Sequence, residues 1–106
     1  MKKYEQGDIV LLPFPFTDGT SGKVRPSVLL ANSGGDGVFV FITSKKDKDE
    51  VVEINMNKTN NLKVDSYIRY TKVATIQNSL IIGKLGQLTA SELKTLKLKI
   101  KLFLKI

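Results

Sequence analysis

The sequence contains neither cysteine nor histidine. Without cysteine there can be no disulfide bridge and no thiolate nucleophile, and without histidine no imidazole can act as an acid or base. The two absences together also remove the usual zinc ligands. Any catalysis must therefore use arginine, lysine, carboxylate and hydroxyl groups.

Long apolar runs are absent as well. No stretch approaches the roughly 18 consecutive apolar residues that a membrane-spanning helix needs. The opening residues MKKYE lead into no secretory apolar segment. We therefore expect a cytoplasmic protein that makes no membrane contact.

A length of 106 residues suits a single domain, residues 1–106, with one modest core.

The charge balance is basic. Seventeen lysines and arginines against ten acids give a formal net charge of +7. This charge attracts a polyanion at long range, but a net charge of about 2–8 is also normal for a soluble small domain. The sequence has no glycine-rich nucleotide motif and no carboxylate cluster with magnesium spacing. We therefore expect no cofactor and no metal site.

Short β-branched and aromatic runs between glycine, proline and asparagine turns indicate a mainly β protein. The first run contains Pro13 and Pro15, so it must be an edge strand or one that bends or stops near Pro13. The runs 26–31 and 38–44 form a predicted hairpin. The predicted strands are 8–16, 26–31, 38–44, 50–56 and 64–76, with a short strand or irregular structure over 79–88.

The last segment changes to a helical period. Thr89 and Glu92 have the spacing of a capping box at a helix start. Leu98 and Leu102 lie nearly opposite the main apolar stripe; they either cover a loop, meet another chain or are simply exposed. A helix on several short strands predicts a small antiparallel barrel or strongly bent sheet. The apolar stripe consists of Leu93, Leu96, Ile100, Phe103 and Leu104.

Arg25 lies in the segment GTSGKVRPS, between a glycine-rich turn and an apolar run. Pro26 restricts the backbone of Arg25 to an extended conformation, which helps to fix the direction of the side chain. A guanidinium is a poor base but a strong clamp for a phosphate whose charge grows in a transition state. The residues alone leave a second interpretation open, a salt bridge to one of the ten acids.

Thr43 and Ser44 lie at the end of the run 38–44 and are followed by Lys45. Hydroxyl groups at this place can hydrogen-bond a phosphate oxygen or a sugar hydroxyl. The alternative is that Thr43 occurs there only because threonine favours β-strands, and that the lysines after it lie in a solvated loop.

Four segments together resemble the MazF/PemK family of bacterial toxins. The most specific pieces are the opening G-D-I-V with its aromatic-proline run, the R-P before an apolar strand, the I-T at a strand end and the G-x-L ahead of the capped helix. They occur in the family's order over nearly the whole chain. The segments are 7–19, GDIVLLPFPFTDG; 23–31, KVRPSVLLA; 38–44, VFVFITS; and 75–100, TIQNSLIIGKLGQLTASELKTLKLKI.

The resemblance implies a small SH3-like antiparallel β-barrel of the CcdB/PemK type with a C-terminal α-helix, assembled as a homodimer. It also implies a metal-independent endoribonuclease that cuts single-stranded RNA at short sequences and is held inactive by a cognate antitoxin. By position, the family's catalytic arginine falls on Arg25 and its catalytic threonine on Thr43. The expected substrate-binding residues are Ser21, Gly22, Lys23, Ser44 and Lys45.

The implied reaction is attack of the ribose 2′-hydroxyl on the neighbouring phosphorus, which leaves a 2′,3′-cyclic phosphate and a 5′-hydroxyl. Arg25 would stabilise the charge of the phosphorane, and Thr43 would orient a phosphate oxygen or the attacking hydroxyl. DNA would bind without being cut, because it lacks the nucleophile.

One position departs from the family pattern. Thr20 stands where many members carry an acidic residue, and no acid lies between Asp18 and Pro26. The sequence therefore does not identify the general base; Asp18 and water are the candidates.

The alternative function is a catalytically silent relative that binds RNA or the antitoxin. The related CcdB group, whose action on gyrase depends on a tryptophan near the C-terminus, does not fit a chain without tryptophan.

Overall fold

The computed structural model describes residues 3–14, 23–45 and 50–106. A short 3-10 helix, Asn78–Leu80, joins the last two strands, and helix α1, Ala90–Leu104, follows them. Within the described ranges, no helix has the length and apolar character needed to cross a membrane. The strands in these ranges are β1 Asp8–Pro13, β2 Val24–Ser33, β3 Asp36–Thr43, β4 Val52–Ile54, β5 Ser66–Gln77 and β6 Gly83–Gln87.

The strands of the described ranges form one antiparallel sheet in the order β4-β5-β3-β2-β1-β6. Strand β1 stops at Pro13, where its register with β2 ends in a pair with Val24. It is not an edge strand, because β2 and β6 flank it on its two sides. The predicted hairpin is confirmed as β2 and β3, which meet at the pair of Ser33 and Asp36.

The sheet curls until the connection after β4 reaches β6 at the opposite edge. The N–H of Gln87 donates to the carbonyl of Thr59 at 3.0 Å, and Asn61 Nδ2 donates to the carbonyl of Leu85 at 2.9 Å. Buried Asn60 stabilises this connection through three bonds between its amide and nearby backbone groups. The predicted small barrel with a C-terminal helix is therefore confirmed, in the form of a curled, half-closed sheet.

Two clusters of apolar side chains lie on the two faces of the sheet, because successive residues of a strand point in opposite directions. Strand β3 shows this directly, since Val40 and Ile42 join one cluster and Phe39 and Phe41 the other. The helix-side core contains Ile9, Val28, Val40, Ile42, Val52, Ile54, Ile68, Leu88 and Leu96. The second core contains Val10, Leu12, Phe14, Leu29, Phe39, Phe41 and Ile76.

Helix α1 begins at the predicted capping box. The Thr89 hydroxyl accepts from the Glu92 N–H at 3.2 Å, and the Glu92 carboxylate accepts from the Thr89 N–H at 2.8 Å. Leu96 is fully buried in the helix-side core, and Leu93 and Ile100 pack against that core. The helix therefore closes one face of the sheet with its apolar stripe.

The last turn of α1 is less covered than its periodicity predicts. Phe103 and Leu104 are 44% and 51% exposed, although the Phe103 ring meets Tyr70 edge-on with centroids 6.1 Å apart. Leu98 and Leu102, opposite the main stripe, are exposed as well. The end of the helix thus presents apolar surface outside the core.

The contact between β6 and the connection after β4 can be tested at Gly86. A β-carbon there would lie 2.5 Å from the Thr59 carbonyl oxygen and 2.6 Å from backbone atoms of Asn60. Backbone cannot yield as a flexible side chain does, so we expect Gly86→Ala to lower the free energy of unfolding by about 1–3 kcal/mol. Urea denaturation followed by circular dichroism measures this change.

The matched control is Gly83→Ala in the same strand, where an added β-carbon meets no described atom within 4 Å. We expect this control to change stability much less than Gly86→Ala. Equal effects of the two substitutions on stability would show that the contact of Gly86 with the backbone of Thr59 and Asn60 is not important for joining the two edges of the sheet.

Candidate active site

Arg25 and Thr43 lie on neighbouring strands at the same end of the sheet. The register of β2 and β3 pairs Ser27 with Phe41. Continuing this antiparallel count by two residues sets Arg25, near the start of β2, opposite Thr43, the last residue of β3. Directly opposed residues of an antiparallel pair have side chains on the same face and β-carbons about 4.5–5.5 Å apart. The paired residues of β2 and β3 end at Ser27 and Phe41, so the closeness of the Arg25 and Thr43 side chains is an expectation from the register.

Two further side chains extend this pair into a row across four strands. Thr43 pairs with Tyr67 of β5, and Tyr67 pairs with Glu53 of β4. We call Arg25, Thr43, Tyr67 and Glu53 the site row. Tyr67 and Glu53 were not among the residues predicted from sequence, because nothing local indicates which strands are neighbours.

The site row lies on the face of the sheet that is turned away from helix α1. The chain neighbours of three of its members belong to the helix-side core: Ile42 precedes Thr43, Ile68 follows Tyr67, and both Val52 and Ile54 flank Glu53. Because side chains alternate along a strand, Thr43, Tyr67 and Glu53 point to the opposite face. Arg25, Thr43 and Tyr67 are half-buried, and Glu53 is exposed.

The Thr43 hydroxyl is held by a local hydrogen bond. Its oxygen accepts from the backbone N–H of Lys45 at 3.2 Å. A hydroxyl has one hydrogen to donate and two lone pairs, so this bond leaves the hydrogen available for another acceptor. The arrangement suits donation to a phosphate oxygen or orientation of a sugar hydroxyl.

A second guanidinium stands beside the site row. Arg69 follows Tyr67 by two residues on β5, and its guanidinium carbon lies 5.8 Å from the centroid of the Phe41 ring. Phe41 in turn packs on Phe14, with ring centroids 5.2 Å apart and a tilt of 52°. A cation over an aromatic face is attracted by the ring quadrupole. The Arg69 side chain is therefore held in place by its contact with an aromatic residue of the second core.

Arg69 was not among the residues predicted from sequence, although its surroundings in the chain are unusual. It is one of two arginines in the chain, and it interrupts the otherwise uncharged strand start SYIRY. Aromatic and β-branched residues usually form buried strands. A charged arginine within such a segment is therefore unusual. Its place beside Phe41 depends on the pairing of β5 with β3 and could not be read locally.

The predicted substrate-binding residues divide into two groups. Lys23 precedes β2, while Ser44 and Lys45 follow β3, and all three are exposed. They lie at the same end of the sheet as Arg25 and Thr43. The other two predicted binding residues, Ser21 and Gly22, lie outside the described residues, as do Asp18 and Thr20.

The described part of this end of the sheet is rich in cations. Lys23, Arg25, Lys45 and Arg69 lie on or beside the site row, against the single carboxylate of Glu53 within that row. Guanidinium groups bind phosphate and carboxylate oxygens through paired N–H groups. Within the described residues, no group of three or more acidic side chains could hold a metal ion. This end of the sheet thus combines cations with a hydroxyl and a carboxylate, a set of groups that suits an anion.

Comparison with known proteins identifies the family of this chain. Residues 5–104 match the sequence profile of the family described as PemK-like, MazF-like toxin of type II toxin-antitoxin system. The chain therefore belongs to this family of toxins. A search among curated proteins gives no match.

Solved structures agree with this fold. A mycobacterial endoribonuclease in complex with its cognate antitoxin has a TM-score of 0.77 and 15% identity, covering 98% of this chain and 97% of its own. MazF from Deinococcus radiodurans has a TM-score of 0.76 and 19% identity, with 97% of each chain covered. A MazE-MazF structure from the same organism gives 0.74 and 17% identity, again with 97% of each chain covered.

Proposed function

We propose that this protein is a sequence-specific endoribonuclease, the toxin of a type II toxin–antitoxin pair, that cleaves single-stranded RNA without a metal. The observation that carries the proposal is the register of β2 and β3, whose continuation beyond Ser27 and Phe41 sets Arg25 against Thr43, in a chain of this family. A fixed cation beside a hydroxyl, on a face rich in positive charge, suits a phosphodiester. Catalysis then depends on positioning and electrostatic stabilisation.

The proposed reaction uses the substrate's own ribose. The 2′-oxygen attacks the adjacent phosphorus, and the 5′-oxygen of the next nucleotide leaves, giving a 2′,3′-cyclic phosphate and a 5′-hydroxyl. Arg25 donates N–H groups to the non-bridging oxygens, whose charge increases in the phosphorane. Thr43 donates its hydroxyl hydrogen to one of these oxygens while Lys45 N–H holds the hydroxyl in place.

The flanking residues would bind the rest of the RNA strand. Lys23, Ser44 and Lys45 are exposed beside the site row and would contact backbone phosphates. Arg69, anchored on Phe41, would supply a second cation or a face for a base. We propose that Ser21 and Gly22, which lie outside the described residues, also bind the RNA. DNA would bind this surface without being cut, since it lacks the 2′-hydroxyl.

The proposed partners follow from the family. Two of the similar solved structures are complexes, one named as containing a cognate antitoxin and one as MazE-MazF. We propose a cognate antitoxin for this chain as well, and a homodimer to which the exposed Leu98 and Leu102 of α1 would contribute. We also propose that residues 1–106 act as one toxin domain in the cytoplasm, where messenger RNA is available.

A second candidate function is supported by one observation in the sequence. Thr20 replaces an acidic residue that many relatives carry, so the chain lacks a carboxylate at that position. A relative that binds RNA or the antitoxin without turnover would keep the fold and the basic surface. This candidate and the ribonuclease differ in whether RNA is cut.

Cleavage is tested with purified protein and a long single-stranded RNA in EDTA. We expect discrete fragments that carry 2′,3′-cyclic phosphate ends. Arg25→Ala should lower the single-turnover rate by about 10²–10³-fold, the loss that follows removal of one transition-state donor. End mapping and single-turnover kinetics measure both effects.

The control is Lys97→Ala, which removes an exposed positive charge from α1 on the other side of the sheet. It should leave the rate within about twofold, because exposed charges more than a Debye length apart are screened. Intact RNA with a retarded complex would support the silent binder instead. Equal losses of rate for Arg25→Ala and Lys97→Ala would show that Arg25 contributes only to the overall positive charge.

The role of Thr43 is tested with Thr43→Val, which keeps the branched shape and removes the hydroxyl. We expect a rate loss of about 10–100-fold with little change in RNA affinity, because only a transition-state interaction is removed. Ser44→Ala, which removes the neighbouring exposed hydroxyl, is the control and should change the rate much less. Equal rates for Thr43→Val and the parent protein would exclude a catalytic role for this hydroxyl.

A further inference from the structure

Attack by a ribose 2′-hydroxyl requires a group that accepts its proton. A positioned general base commonly contributes about 10²–10⁴-fold to the rate of such a step. The chain has no histidine and no cysteine, and arginine stays protonated. Carboxylates are the side chains that are ordinarily unprotonated at neutral pH. The base is therefore to be sought among the acids.

The other acids that the structure describes lie outside the site row. Asp8 pairs with Lys84 at 3.2 Å between β1 and β6, and Glu92 closes the capping box. Asp65 accepts the N–H of Met56 at 2.8 Å across the β4–β5 connection. Asp36 begins β3, at the end of the strand opposite to Thr43. None of these carboxylates belongs to the site row.

Glu53 is the acid that the sheet brings to the site row. It pairs with Tyr67, which pairs with Thr43, so one strand separates Glu53 from Thr43. With strands roughly 4.8 Å apart, the backbone of Glu53 lies about 10 Å from that of Thr43. The Glu53 side chain is exposed on this face, because its neighbours Val52 and Ile54 are buried on the other.

This spacing suits a substrate that lies between the two ends of the site row. A phosphate held by Arg25 and Thr43 would place its ribose over Tyr67, on the side of Glu53. The half-buried Tyr67 offers an aromatic surface for the sugar or its base. A glutamate side chain is long enough to meet the 2′-oxygen of a ribose in that position.

We infer that the Glu53 carboxylate is the general base of the cleavage; this inference rests on the proposed function. It accepts the proton of the 2′-hydroxyl as the bond from O2′ to phosphorus forms. The bond from phosphorus to O5′ breaks, the leaving oxygen takes a proton from water, and Glu53 returns its proton to water. Glu53 thus performs from β4 the task for which the chain has no acid at Thr20.

The test compares single-turnover cleavage by the parent protein and by Glu53→Gln across pH. A carboxylate base must be unprotonated to act, so the parent rate should fall as pH decreases through the acidic range. Glu53→Gln should lower the plateau rate about 10²–10⁴-fold and lose that acidic limb. Affinity for an uncleavable strand with 2′-deoxyribose at the cut should stay within about threefold, since binding of the phosphates is retained.

Three further variants make the assignment specific. Glu53→Asp keeps the carboxylate but shortens its reach, so it should cleave at an intermediate rate and keep the acidic limb. Glu50→Gln removes an exposed acid three residues away, and Asp18→Asn removes the acid nearest to Thr20 in sequence. Glu50→Gln should keep the parent rate and pH profile, while Asp18→Asn tests the other acid that the sequence offers as a base. Loss of the acidic limb in Glu50→Gln or Asp18→Asn, with Glu53→Gln unaffected, would overturn the assignment.

The result also separates this inference from the proposed function. If the parent protein cleaves RNA and Glu53→Gln keeps both rate and acidic limb, the base is elsewhere and the ribonuclease remains. If Glu53→Gln loses RNA affinity instead of rate, Glu53 is a binding residue and the inference fails. If the parent protein leaves RNA intact, the proposed function fails and the inference with it.

Discussion

The alternation of side chains along the strands determines where both the core and the candidate site lie. Each strand of the β4-β5-β3-β2 part of the sheet sends one set of residues toward α1 and the next set to the opposite face. Burial of the helix-side core fixes the register, since a slip of one residue would expose the whole apolar set. The packing of their neighbours on the other face thus aligns Thr43, Tyr67 and Glu53.

The second arginine lies where the pairing between β3 and β5 becomes irregular. From Val40 to Ile42, β3 advances two residues, while β5 uses five between the partners Val73 and Ile68. The additional residues of β5 bulge and bend the strand, as extra residues in a ladder do. Arg69 lies in this stretch and stacks over Phe41. The register of Thr43 with Tyr67 and of Ile42 with Ile68 already directs Arg69 toward Phe41, and the bulge follows from there to Val73.

Local patterns in the sequence were sufficient for the elements, and they also named Arg25 and Thr43 as candidate site residues. The turn between β2 and β3 and the capping box of α1 follow from short-range rules, and Pro13 correctly marked the end of β1. The internal position of β1 and the neighbours of Thr43 on β5 and β4 depend on pairing between distant segments. Glu53 lay within a predicted strand, yet its importance depends on Tyr67 standing between it and Thr43.

The central claim is that Arg25 and Thr43 act on the same phosphate from opposite strands. A double-mutant cycle tests it most directly, with single-turnover rates of the parent, Arg25→Gln, Thr43→Val and the combined variant. The account predicts strong coupling, with the double variant only slightly slower than Arg25→Gln alone, because residues that share a partner do not act independently. Independent losses that multiply in the double variant would contradict it.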